Sequence, residues 1–136
     1  MSSRESPVRY VIDTHAWHWY LQSSPKLGSG AQAALKLVEA GEALLLIPAI
    51  VLAEFVCLCE KLRIPSALDA VSQHIADSRN MLLIDTGLAQ LQAFEKINLP
   101  LEMHDRLILA DALLAEATLI TRDRALQNSG LVPTIW

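Results

Sequence analysis

Four carboxylates stand where apolar runs of the chain begin, end or are interrupted. Asp13 follows Tyr10-Val11-Ile12, and Glu54 lies inside the run Ile50 to Leu58, past Pro48. Asp105 precedes Leu107-Ile108-Leu109, and Asp123 follows Leu119-Ile120-Thr121-Arg122. Each has an ordinary reading when taken alone. Asp13 and Asp105 suit helix N-caps, Asp123 suits a turn, and Glu54 suits a solvent-facing stripe on a mostly buried helix. Gathered in one crevice they would repel, raising one another's pKa, and a divalent cation would remove that conflict. Oxygen-only ligands select Mg²⁺ or Mn²⁺. A cation held by a few carboxylates keeps water, and such water can serve as a nucleophile. The chemistry to expect is metal-assisted hydrolysis.

Bringing these acids together requires a particular alternation of elements. Strands are expected at residues 9–12, 44–47, 81–84, 118–120 and 132–135. Helices are expected at 14–22, 31–40, 49–62, 65–78, 88–97 and 105–117, with a short turn at 124–127. Strands that alternate with helices imply a parallel sheet with right-handed crossovers. In such α/β sheets, groups at the carboxyl ends of strands line the ligand crevice. Asp13 and Asp123 then leave strands at that edge, and Glu54 lies about one and a half helical turns beyond Pro48. Asp105 opens the helix feeding the fourth strand, so it starts at the same edge.

Composition agrees. At 136 residues the chain suits one domain, with 1–8 as a flexible tail and 9–136 as the folded unit. Hydrophobic residues make up 52% and charged residues 19%, as expected of a sheet covered on both faces with strands apolar throughout. No apolar run reaches the roughly 18 residues of a membrane span, and the N-terminus lacks a signal-peptide layout, so a cytoplasmic location is expected. Cys57 and Cys59 are two apart in a helical run; neither a disulfide nor a shared metal fits, and both are expected to pack in or beside the core. The net charge of −4 argues against a surface that coats nucleic acid generally. It leaves room for a nuclease that meets phosphate through bound cations and a few local arginines.

The segments Val11-Ile12-Asp13-Thr14-His15, the Glu54 helix, His104-Asp105-Arg106-Leu107-Ile108-Leu109-Ala110 and Leu119-Ile120-Thr121-Arg122-Asp123 together resemble a PIN domain. Within that family the likeness is to the ribonuclease toxins of VapBC-type toxin–antitoxin modules, and it runs from about Arg9 to Trp136. The resemblance implies a three-layer α/β/α fold with a short parallel sheet of four to five strands. It implies hydrolysis of RNA phosphodiesters by in-line attack of water activated by one or two Mg²⁺ or Mn²⁺ ions. Asp13, Glu54, Asp105 and Asp123 map onto the family's metal-binding acids, and Thr121 onto its supporting hydroxyl. A small VapB-type antitoxin and a homodimer are the implied partners.

Around the acids, Arg106, Arg122 and Arg124 are candidates to hold RNA phosphates, their alternative being a solvated face or ion pairs. Thr14 is a candidate for substrate contact or a helix cap. Asp111, about 240° round the helix from Asp105, is read as a partner for another element or as partly exposed. Asp85 reads as a turn or cap. His15 and His18 are spaced to share a zinc ion but lack further soft ligands; either is also weighed as a substrate contact, and His104, beside Asp105, as lying near the cleft. Trp17, Trp19 and Tyr20 read as core or interface. Two other classes stay open: a PIN-like binding module without catalysis, and a phosphoryl-receiver domain built on Asp13, Asp85 and Thr121. The receiver reading lacks a second acid beside Asp13 and a lysine after the last strand.

Overall fold

A computed structural model describes residues 7–136. The tail expected at residues 1–8 lies mostly outside them, and Val8 already belongs to the first strand. In chain order the elements are β1 (Val8–Ile12), α1 (Thr14–Leu21), α2 (Ser29–Glu39), β2 (Ala43–Pro48), α3 (Ala49–Leu62) and α4 (Leu68–Asp77). They continue with β3 (Met81–Ile84), α5 (Leu88–Lys96), α6 (Met103–Ala115), β4 (Thr118–Ile120), α7 (Arg124–Gln127) and β5 (Thr134–Ile135). The five strands form one parallel sheet in the order β3-β2-β1-β4-β5, a layer within a three-layer α/β/α fold.

The order reverses between β1 and β4, and ligands of open α/β sheets bind at such a switch point. Ile12 pairs with Ile120, so the next residues, Asp13 and Thr121, leave the sheet side by side.

Central strands are apolar on both faces: Val11, Ile12, Leu45, Ile47, Leu119 and Ile120 are fully buried. Each such side chain contributes about 1.5–3 kcal/mol through burial. The expectation of strands covered throughout fails at β3, where Leu82 and Leu83 are about half exposed. That strand forms the edge of the sheet and has a neighbour on one side only.

Three boundaries differ from expectation for local reasons. The fourth helix starts at Leu68 rather than at Pro65. Arg63 closes α3 in the left-handed region, and Ile64 is held out of helical geometry by the following proline. Helix α6 starts at Met103, which puts Asp105 inside its first turn. Strand β5 is limited to two residues after Pro133, whose carbonyl still accepts from Leu119 N–H at 2.9 Å.

The chain's last residue docks on α2. The main-chain oxygen of Trp136 accepts from the N–H groups of Gly30 and Ala31 at 2.9 and 3.3 Å. A Cβ at Gly28 would lie 2.7 Å from the Trp136 backbone, so only glycine allows this approach.

Candidate active site

Both carboxylate oxygens of Asp13 are hydrogen-bonded. Its Oδ1 accepts from Ala16 N–H at 2.9 Å, capping α1. Its Oδ2 accepts from the hydroxyl of Thr121, which the β1–β4 register sets beside it. Burial pushes its pKa up to about 6, against the pull of those hydrogen bonds and of His15; Asp123 pushes the same way as burial. Thr121 is fully buried, and its hydroxyl also accepts from Asp123 N–H at 3.0 Å. One hydroxyl thus ties Asp13 to the turn that carries Asp123. The Asp123 carboxylate in turn accepts from Ala125 and Leu126 N–H at 2.8 and 3.4 Å, capping α7.

Glu54, half-buried on α3, is gripped from two sides. Its Oε1 accepts from the Thr14 hydroxyl at 2.6 Å, and its Oε2 lies 3.2 Å from His104 Nε2. The same nitrogen lies 3.5 Å from Asp105 Oδ1, and His104 Nδ1 lies 3.4 Å from Glu102. Burial raises the pKa of Asp105, opposed by His104 and reinforced by Asp123, Glu54 and Glu102.

Asp13, Glu54, Asp105 and Asp123 line a single open cleft of about 770 Å³, together with Thr14 and Arg122. Among the described residues, however, no three His, Cys, Asp or Glu side chains stand in an arrangement that holds a metal ion. Glu54 and Asp105 instead turn oxygens toward Thr14 and His104. The chemistry of the donors still fits a hard divalent cation. All four acids offer oxygen, and Asp13 and Asp105 have pKa values raised by burial and like charge, which a cation would relieve.

Other candidates separate clearly. Arg106 faces away from the cleft: its guanidinium lies 3.9 Å from the Phe94 ring centre and donates to the Phe94 carbonyl at 2.8 Å. It joins α6 to α5 and is not positioned to hold substrate. Arg124, exposed on α7, is not among the residues lining the cleft. His18 is buried against Phe55 while His15 is exposed in the cleft, so the two share no ligand position. Asp111 is wholly buried rather than partly exposed; its Oδ1 has no partner among the described residues. Burial pushes its pKa up to about 7, opposed by a hydrogen bond with Gln90.

The cleft also holds residues that sequence reasoning passed over. Cys57, expected in or beside the core, is exposed and lines it with Lys61. Both share a helical stripe with Glu54 at i+3 and i+7, a spacing visible in the sequence. Trp19 lines the cleft from α1.

Strand order closes the receiver reading. Such folds set β3 next to β1, whereas here β2 stands between them and exposed Asp85 follows the edge strand.

Comparison with known proteins agrees with this geometry. No curated protein matches the sequence. VapBC2 from Rickettsia felis, bound to a DNA fragment from its promoter, is similar in fold at a TM-score of 0.68 and 19% identity, over 93% of this chain and 97% of that one. A toxin–antitoxin complex from Klebsiella pneumoniae gives 0.68 and 20% over 93% and 96%. The PIN domain endonuclease Utp24 gives 0.50 and 18% over 90% and 77%. The family model for the PIN domain matches residues 10–130, from the strand that delivers Asp13 to the turn before β5. With that match on this sheet order, the chain belongs to the PIN-domain family.

Proposed function

We propose that this protein is a divalent-metal-dependent endoribonuclease, the VapC-type toxin of a toxin–antitoxin pair. The observation that carries the reading is the meeting of Asp13, Glu54, Asp105 and Asp123, from four separate segments, in one cleft at the sheet's switch point. PIN-family membership and fold neighbours that include toxin–antitoxin complexes and an endonuclease support it.

In this reading the four acids hold one or two Mg²⁺ or Mn²⁺ ions. Bound there, the ion supplies charge neutralisation at the phosphate and acidifies water for attack. The chain's own residues do the positioning. Thr121 aims Asp13 and anchors the Asp123 turn, Thr14 aims Glu54, and His104 sits between Glu54 and Asp105. Arg122, exposed on the rim, offers a guanidinium to phosphate. The same reading gives the chain a small VapB-type antitoxin as partner. It also gives it a second copy of itself, for which the exposed leucines Leu82, Leu83, Leu88 and Leu91 offer apolar surface.

Incubation of the full chain with RNA tests this. Cleavage is expected with Mg²⁺ or Mn²⁺, lost with a chelator and lost in Asp13→Asn. Cleavage that persists without divalent ions, or none under any condition, overturns it; the second outcome leaves a PIN-fold binding module.

A further inference from the structure

We propose that Trp19, with Arg122 and Lys26, forms a nucleotide subsite on one lip of the cleft, where a base of single-stranded RNA stacks beside the acids. This rests on the nuclease reading above and adds to it how substrate is held.

Helix α1 carries two tryptophans with different fates. Trp17 is fully buried, whereas Trp19 is half-exposed and lines the cleft together with His15, one turn before it. His15 and Trp136 meet the Trp19 ring at tilted angles, with centroids 5.7 and 5.8 Å away. Two cations stand over it as well: Arg122 Cζ at 5.3 Å and Lys26 Nζ at 5.7 Å from the ring centre. Both cations are exposed, and no carboxylate among the described residues lies within salt-bridge distance of either.

Two cations beside a half-exposed aromatic ring are the elements a single-strand binding surface is built from. Aromatic rings accept any base by stacking, and adjacent cations track the phosphates of a single strand. Arg122 is bonded in the chain to Asp123, and both line the cleft. A phosphate held by Arg122 is therefore carried toward the acids while its base rests on Trp19. The stacking partner would displace Arg122 from above the ring onto the phosphate, a move open to an exposed side chain. The bland alternative is a cation–π contact that only steadies the surface.

Anisotropy titration of a short labelled single-stranded RNA, in an Asp13→Asn background with Mg²⁺, separates the two. Trp19→Leu should weaken binding by about 5- to 150-fold, the range of one lost base stack, while Trp19→Phe stays within about threefold. A strand of the same length with abasic sites should bind more weakly to the parent and should not distinguish Trp19 from Leu. Arg122→Gln, on the exposed lip, should lower the slope of log affinity against log salt by about 0.7. Equal binding by the Leu and Phe variants overturns the proposal. If Trp19→Leu fails to fold, equal binding of base-bearing and abasic strands by the parent, or an unchanged salt slope in Arg122→Gln, overturns it instead. RNA cleavage that ignores Trp19 removes only this subsite. Trp19-dependent binding in a protein that never cleaves removes only the nuclease reading.

Discussion

Thr14 and Glu54, forty positions apart in sequence, share a 2.6 Å hydrogen bond across the α1–α3 contact. The donor sits in the first turn of one helix and the acceptor in the second turn of another, so the bond exists only when both helices are seated on the sheet. It fixes one Glu54 oxygen and leaves the other to face the cleft beside His104.

From this bond follows a prediction on metal affinity. Thr14→Val keeps the side-chain shape and removes the donor. It should weaken Mn²⁺ binding about 10- to 100-fold, as loss of a group that orients a ligand does. Thr14→Ser should restore most of that affinity. A calorimetric titration reads both, and a Val variant that binds like the parent would show that Thr14 is only a helix residue.

Thr121 offers a second handle. Thr121→Val leaves a buried oxygen of Asp13 and the N–H of Asp123 without their shared partner. Unfolding in urea should show a loss of about 1–3 kcal/mol, the cost of unpaired buried polar groups. Stability within about 0.5 kcal/mol of the parent would mean that this hydroxyl is not holding the two segments together.

Asp111 makes a prediction about pH. Its carboxyl is raised in the folded protein to about 7 from an ordinary 3.8, first through burial. The folded state therefore holds a proton that the unfolded chain releases. The stability this gives is fully present below about pH 4 and is lost as pH rises through about 7. Asp111→Asn cannot ionise, so its Tm relative to the parent should climb between about pH 4 and 7 and level off above that. A difference that stays flat across that range would place the Asp111 carboxyl in a solvated setting.

Arg106 should behave as a structural residue. Its guanidinium stacks on Phe94 and bonds the Phe94 carbonyl. Arg106→Gln should cost about 1–2 kcal/mol of stability and leave RNA affinity and its salt dependence as in the parent. A reduced salt slope in this variant would return Arg106 to the phosphate-binding set.

The positions of the acids could be read from the chain because each ends, precedes or interrupts an apolar run, and in a parallel sheet the ends of β1 and β4 and the starts of α3 and α6 fall on one side. Which acid oxygen meets which partner could not. The Thr14 and His104 contacts with Glu54 depend on how α1, α3 and α6 rotate against one another, and no local spacing encodes that. Arg106 adjoins Asp105 in sequence, yet neighbours on a helix diverge by about 100°, and Arg106 packs on Phe94 of α5 while Asp105 lines the cleft. Cys57 and Cys59 carry the same lesson: two positions apart they face opposite ways, so burial of Cys59 leaves Cys57 exposed. The bareness of Leu82 and Leu83 goes with the edge position of β3, which pattern does not specify.

Acids from four segments are proposed to share the bound divalent metal, one ion or two. Mn²⁺ titration by calorimetry of the parent, Glu54→Gln and Asp105→Asn tests this most directly. The parent should bind, and each substitution should weaken binding at least about tenfold. Absence of Mn²⁺ binding in the parent, or undiminished binding in both variants, would contradict it.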